Sequence, residues 1–390
     1  MTATEIVTLG CRLNLSESER MRQILASESD LIVINSCAVT SEAMRQTRQA
    51  IRRARRARPD ARLIVTGCAA EIERDQLAAM PEVDGLVPNT AKLDPRAWNA
   101  AEAQEPAPQR RTRAFVAVQN GCDHACAFCV IPQGRGTSRS LTIAQALRAI
   151  EGHLEIGTAE IVLTGVDLTS WGHDLPGQPG LGALVAAILE RFPELPRLRL
   201  SSVDGIEIDP LLFDLLATEG RIMPHLHLSL QHGADLILKR MKRRHLRRDA
   251  IDLVARLKQH RPEFAIGADL IAGFPTESDD HHRQNISIIE ELKIVHGHIF
   301  PYSPRPGTAA ARMPQHDRRL IRQRAAQLRE TVAKLRADWM ASLVEKPCTV
   351  LAERDGTGYA ENFARVATPG IAPGTIMTLT PTRIEDDLLT

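Results

Sequence analysis

Three short apolar runs open the chain: EIVTLG (5–10), LIVINS (31–36) and RLIVTG (62–67). Each ends at or just before a cysteine, and stretches with helical spacing separate them. This alternation predicts parallel strands joined by crossover helices. A second series follows at RAFVAVQ (113–119), EIVLTG (160–165), RLRLSS (197–202), HLHLSL (225–230), AIGADLIAG (265–273) and IVHGHIF (294–300). Helical patterns such as TIAQALRAIEGHLEIG and RDAIDLVARLKQH lie between these runs. Six β–α units predict a partial (β/α)6 barrel of the TIM type, with chemistry at the carboxyl ends of its strands. Residues 94–113 carry proline, alanine and charge without strand periodicity and read as a linker. An arginine-rich helical pattern runs from 315 to about 345. The tail beyond it has short β-prone runs broken by glycine and proline, predicting a small, five-stranded β-barrel. The expected fold class is therefore α/β, with regions at 1–100, 113–335 and 346–390.

Composition narrows the class. The 390 residues are 43% apolar and 25% charged, values of a globular protein. No run approaches the ~18–20 apolar residues of a membrane span. The N-terminus MTATEIVTLGC lacks the basic and apolar segments of a signal peptide, so a cytoplasmic protein is expected. The net charge of +1 by itself points to no nucleic acid. Its distribution does, through basic blocks at 51–62, 109–113, 239–248 and 318–329. Such blocks are either solvated helix faces or a phosphate-binding surface. Aromatic residues are 3% of the chain, so base-stacking platforms are scarce.

The seven cysteines carry the chemistry: Cys11, Cys37, Cys68, Cys122, Cys126, Cys129 and Cys348. An odd count in a reducing compartment argues against a disulfide framework and for metal or redox chemistry. Parallel-sheet topology brings strand ends to one edge, so Cys11, Cys37 and Cys68 are expected to converge; three buried structural thiols are the alternative. Cys122, Cys126 and Cys129 form C-x3-C-x2-C. A 4Fe–4S cluster and a structural zinc each take four ligands. Candidates for a fourth here are His124, awkwardly placed between two ligands, and Cys348. A cluster held by three thiolates instead leaves one iron open to bind something else.

The loop CDHACAFC, with Phe128 before its last cysteine, resembles the cluster motif of the radical S-adenosylmethionine (SAM) superfamily. The rest of the chain resembles one branch, the methylthiotransferases. Their N-terminal domain is matched by TLGCRLNLSESE (8–19), INSCAVTSEAMRQTRQAIRRA (34–54) and VTGCAAE (65–71). Their barrel motifs are matched by GRGTSRS (134–140), VLTGVDLTSWG (162–172), HLSLQHGADLILKRMKRRH (227–245), GADLIAGFPTES (267–278) and FPYSPRPGTAA (300–310). The tail resembles the TRAM domain, a small RNA-binding β-barrel. Two departures from the family stand out: a shorter interval between Cys11 and Cys37, and a compact tail.

The resemblance implies SAM and two 4Fe–4S clusters as cofactors. Cys122, Cys126 and Cys129 would hold the catalytic one and Cys11, Cys37 and Cys68 the auxiliary one. Gly165 and Asp167 fall where related enzymes bind the methionyl amino group, though a plain strand-to-helix turn explains them as well. Ser201, Ser202 and Gln231 end the third and fourth barrel strands and suit the SAM ribose or the substrate, or equally a capping role. His225 and His227 share one strand face, a spacing that suits metal binding or packing and hydrogen bonding.

Cys-Arg-Leu-Asn at 11–14, with Arg45 and Arg48, resembles the subtype acting on N6-threonylcarbamoyladenosine at tRNA position 37, beside the anticodon. That implies a methylthio group added at carbon 2. The partners implied are a tRNA anticodon arm, an electron donor such as flavodoxin or ferredoxin, and a sulfur donor, with no membrane and a monomeric protein. The rival readings are the same chemistry on isopentenyladenosine or on a ribosomal-protein aspartate, or a non-catalytic iron–sulfur RNA-binding protein.

Overall fold

Glu5–Thr8, Leu31–Ser36 and Arg62–Gly67 form the predicted strands, joined by Gly85–Leu86 in a four-stranded parallel sheet arranged in chain order. The computed structural model describes residues 4–100 and 111–390. The helix Ser41–Ala57 shows how the crossovers are specified. Thr40 caps it by accepting from the Ala43 amide at 3.1 Å, Glu42 lies in its first turn, and Arg55 and Arg56 in its last. Met44, Thr47, Ile51 and Ala54 form its buried stripe.

The linker reading fails over its first residues. Pro95–Trp98 is a 3-10 turn capped by Asp94, and Trp98 is buried in the core with its indole N–H on the Lys92 carbonyl at 2.9 Å. A lone tryptophan among alanine and proline gives no periodicity to read. Within that stretch, 101–110 lies outside the described residues, and Thr112 and Arg113 already belong to the fold, Thr112 buried and Arg113 beginning a strand.

The chain divides into two compact units. One comprises Met1–Ala107, Asn120–Arg139 and Ser303–Arg312; the other comprises Pro108–Gln119, Ser140–Tyr302 and Met313–Thr390. In the second, all six predicted barrel strands form: Arg113–Ala117, Glu160–Thr164, Arg197–Leu200, His225–Gln231, Ala265–Ala272 and Ile294–Pro301. With the short strand Ser202–Val203 they pair in parallel as two sheets, one of three strands and one of four. The break falls at Ser201, between Arg197–Leu200 and the short strand Ser202–Val203. Alternation along the strands sorts the faces. Leu198, Leu200, Leu226, Leu228, Leu230, Ala268 and Leu270 belong to the core shared with the helices. Arg197, Arg199, His225, His227 and Asp269 therefore point to the other, inward face.

The tail differs from the five-stranded expectation: six short strands lie in one sheet. It is fastened to the amino ends of the barrel strands. Arg113 reaches Glu353 at 2.6 Å, Arg197 donates to the Thr349 and Tyr359 carbonyls, and Arg199 donates to the Glu361 carbonyl while pairing with Glu160. Phe363 stacks on His225 at 4.8 Å and on Tyr359 at 4.7 Å, with the Arg199 guanidinium 4.8 Å from its ring. One aromatic ring thus closes over a polar barrel floor. Phe363→Ala is expected to cost about 2 kcal/mol of stability, from lost ring burial and stacking. A lower urea midpoint checks this; an unchanged midpoint would show that the contacts carry no energy.

Candidate functional site

In the first unit, backbone geometry presents the N-terminal cysteines. Cys11 caps the helix Arg12–Ile24, Cys37 directly follows the strand Leu31–Ser36, and Cys68 opens the helix Cys68–Ile72. Gly67, at φ +90°, makes the last switch from strand to helix; a Cβ there would lie 2.4 Å from the Ser36 carbonyl. Gly10, at φ +89°, lets Cys37 pack close, since a Cβ there would lie 2.8 Å from the Cys37 Sγ. Cys11 is exposed while Cys37 and Cys68 are buried. Burial pushes the Cys37 thiol up to about 11, helped by the charges of Cys68 and Cys11, and burial raises Cys68 as well. The three cysteines lie at or just past the carboxyl ends of neighbouring parallel strands, near enough for their charges to interact.

Beside these thiols lies a buried charge network. Glu17 takes a two-pronged ion pair from Arg135, at 3.0 and 3.2 Å, and a second cation, Lys92, at 2.6 Å. The three side chains are 1–3% exposed. Asn14 accepts from Arg135 at 2.5 Å and donates to the Leu9 and Ser36 carbonyls; Asn35 accepts from Lys92 at 3.2 Å. Two cations thus face one carboxylate. Burial lowers the basicity of Arg135, but Glu17 and then the Cys68 and Cys11 charges outweigh it and hold the guanidinium protonated above its usual range. Buried charge is costly unless compensated, so the surplus positive charge suits an anion held by these cysteines.

Arg135 comes from the second triplet's own segment. Cys122, Cys126 and Cys129 are half-buried in the loop before the helix Ile131–Arg135. Gly121, at φ +78°, starts the loop with no room for a side chain, as a Cβ would meet the Thr137 carbonyl at 1.9 Å. The Cys129 amide donates to the Cys126 carbonyl at 3.2 Å, and the Ile131 amide to the Cys129 Sγ at 3.4 Å. The helix then packs on the one that Cys68 opens, with Gly134 against the Cys68 Cβ and its carbonyl bonded to Asn89. Phe128 is half-buried in the same loop. Segment 303–312 is tied in through Arg305 to Glu73 at 3.2 Å and Ser303 Oγ to the Ser41 amide at 3.1 Å.

In the second unit, Gly165, Asp167, Ser201, Ser202 and Gln231 lie at or just past the carboxyl ends of barrel strands. Gln119 builds the turn: its Oε1 accepts from the Val166 and Asp167 amides at 3.0 and 2.9 Å, and a Cβ on Gly165 would lie 2.9 Å from that atom. Asp167 accepts from Ser170 at 2.7 Å. The Ser201 Oγ is buried with no hydrogen-bond partner among the described residues. Gln231 has φ +67°, an uncommon backbone state for a side-chain-bearing residue at a strand end.

Residues 116–287 match the Radical SAM superfamily, and residues 3–88 match the Uncharacterized protein family UPF0004. A relative from Rickettsia prowazekii named threonylcarbamoyladenosine tRNA methylthiotransferase MtaB is 41% identical over 380 residues, covering 93% of this chain and 90% of its own. The chain belongs to the MtaB methylthiotransferase family. Another relative of this MtaB-family chain, the tRNA-2-methylthio-N(6)-dimethylallyladenosine synthase of Cereibacter sphaeroides, is 31% identical, covering 95% of this chain and 94% of its own. Among solved structures, the radical SAM methyltransferase TsrM from Kitasatospora setae matches with TM-score 0.53 at 16% identity, over 74% of this chain and 68% of that one. That likeness concerns the fold.

Sequence reasoning missed Glu17, Lys92 and the role of Arg135 in this MtaB-family chain. Arg135 and Asn14 lie inside quoted motifs, GRGTSRS and CRLN, and could have been marked; Lys92 sits in no pattern. The basic block 239–248 divides: Lys239, Lys242, Arg244 and Arg248 are exposed, while other members are engaged within the fold. Arg240 donates to Thr276, Arg243 to Asp204 and the Ser229 carbonyl, and Arg247 pairs with Glu291. On the helix Ser41–Ala57, Arg45, Arg48, Gln49, Arg52 and Arg56 line a pocket of about 370 Å³, with Arg45 paired to Glu42, Arg48 to Glu73 and Arg52 to Glu82. Cys348 is half-buried at the start of a tail strand.

Proposed function

We propose that this protein is a tRNA methylthiotransferase, replacing the hydrogen on carbon 2 of N6-threonylcarbamoyladenosine at position 37 with a methylthio group. One observation carries the reading: the buried surplus of positive charge beside Cys11, Cys37 and Cys68. A 4Fe–4S cluster on three thiolates is anionic and fits that surplus, whereas three neutral structural thiols leave it uncompensated. Cys122, Cys126 and Cys129 would hold the second cluster, in a loop whose three-thiol donor set leaves room for SAM. These groups, when bound, supply a 5′-deoxyadenosyl radical and the sulfur and methyl that the product needs.

The chain's own residues shape the two ends of this chemistry. Arg135 and Lys92 hold the charge of the N-terminal site, while Gly121 and Gly134 allow the loop and its helix to pack. Phe128, Gly165, Asp167, Ser201, Ser202 and Gln231 are proposed to contact SAM, supported by the unpartnered Ser201 hydroxyl and the strained Gln231 backbone. The arginine-lined pocket of the Ser41–Ala57 helix suits RNA phosphates. A cytoplasmic monomer supplied by an electron donor such as flavodoxin or ferredoxin, and by a sulfur donor, completes the reading. The organisation proposed is a methylthiotransferase domain at 1–100, a radical SAM core at 113–335 and an RNA-binding tail at 346–390.

Mass spectrometry of tRNA nucleosides from cells lacking the gene tests this. The methylthiolated threonylcarbamoyladenosine is expected to vanish while its unthiolated precursor accumulates. Persistence of the product at normal level in such a strain would overturn the proposal.

A further inference from the structure

Three neighbouring strands of the second unit place a polar cluster on the inward barrel face. Asp269 stands directly across from His298, and His227 lies across from Gly267 on the other side. Both imidazoles converge on one carboxylate oxygen: His227 Nε2 and His298 Nδ1 each lie 3.1 Å from Asp269 Oδ1. Gly267 makes this possible, because a Cβ there would lie 2.3 Å from His227 Nδ1. His227 thus hydrogen-bonds and His225 packs on Phe363, while the ligand atoms of His227, Asp269 and His298 lie within 4.8 Å of one another, as metal ligands also would; His298 joins them unforeseen.

Exposure separates the three. The His227 side chain is 8% exposed and Asp269 22%, but His298 is 63% exposed. Below them the floor is closed, with His225 stacked on Phe363 and His296 hydrogen-bonded to Arg336 at 2.9 Å. The arginines on this face are engaged: Arg113 by Glu353, Arg197 by tail carbonyls and Arg199 by Glu160. Asp269 therefore holds the His298 ring through Nδ1, on a side chain that is otherwise largely exposed.

We propose that His298, positioned by Asp269 and His227, binds the carboxylate of the substrate's threonylcarbamoyl arm through Nε2. This rests on the function proposed above and specifies how its substrate is told apart. The threonyl carboxylate is the anionic group that distinguishes this base from adenosine and from isopentenyladenosine. A donor held by an ionised partner recognises such a group with a charge-assisted hydrogen bond. Asp269 and His227 act through His298 as positioning residues.

The test compares two anticodon stem-loops in the reconstituted full-length enzyme. One carries the natural threonylcarbamoyl acid, the other its neutral methyl ester. Wild type is expected to lose about ten- to a hundredfold in kcat/KM on passing from acid to ester, through KM, the range of one charge-assisted hydrogen bond. His298→Leu should show nearly equal kcat/KM on both substrates, and His298→Gln, which keeps a donor, should restore part of the preference. Unchanged iron content and melting temperature confirm that the variants fold. An undiminished acid-over-ester preference in His298→Leu overturns the inference while leaving the proposed function standing. Failure of wild type to methylthiolate the acid substrate overturns the function itself, and the inference with it.

Discussion

Replacing Cys122, Cys126 and Cys129 together by alanine is expected to halve the iron of anaerobically reconstituted protein, from about eight atoms to about four. Formation of 5′-deoxyadenosine from SAM should fall below detection. The magnitude follows from the donor set. One loop supplies all three thiols, and the Ile131 amide and the Cys126 carbonyl brace the same few residues, so the substitution removes the whole donor set. The measurements are iron analysis and chromatographic quantification of 5′-deoxyadenosine under dithionite. Retention of SAM cleavage by the triple variant would sink the loop's assignment.

Alanine at Cys11, Cys37 and Cys68 should have the complementary effect. About four irons should remain, 5′-deoxyadenosine should still form within a few-fold of the wild-type rate, and no methylthiolated nucleoside should appear. The two sites are not fully insulated. Arg135 ends the helix that follows the loop of Cys122, Cys126 and Cys129, and its partners are Glu17 and, in charge terms, Cys68 and Cys11. Emptying the N-terminal site leaves Arg135 and Lys92 against Glu17 alone, so reduced thermal stability should accompany the lost product. Normal methylthiolation by this variant would show the three thiols to be structural.

The strands were legible because alternation and apolar runs are local properties. EIVTLG, LIVINS and RLIVTG formed where expected, and their cysteines gathered because a parallel sheet aligns strand ends. The charge network was not legible. Asn14, Glu17, Asn35, Lys92 and Arg135 are scattered over more than a hundred positions, and an ion pair of that span leaves no periodic trace. The basic block at 239–248 was half legible: Lys239, Lys242, Arg244 and Arg248 are exposed, while Arg240, Arg243 and Arg247 find the distant partners Thr276, Asp204 and Glu291. The inward histidines were half legible, since His225 and His227 share a face by spacing, but only the pairing of three strands brings Asp269 and His298 to them.

The aromatic closure of the barrel floor has a consequence for synthesis on the ribosome. Arg113, Arg197 and Arg199 lie on the first and third barrel strands, whereas Thr349, Glu353, Tyr359, Glu361 and Phe363 lie close to the end of the chain. More than 150 residues must be translated after Arg197 before its carbonyl partners exist. At about 5–20 residues per second, a nascent barrel carries an open, charged end for on the order of ten seconds. Closure of the barrel floor thus waits on the tail, and a nascent chain stalled between Arg199 and Phe363 is expected to be more open to chaperones and proteases than one in which the tail has docked.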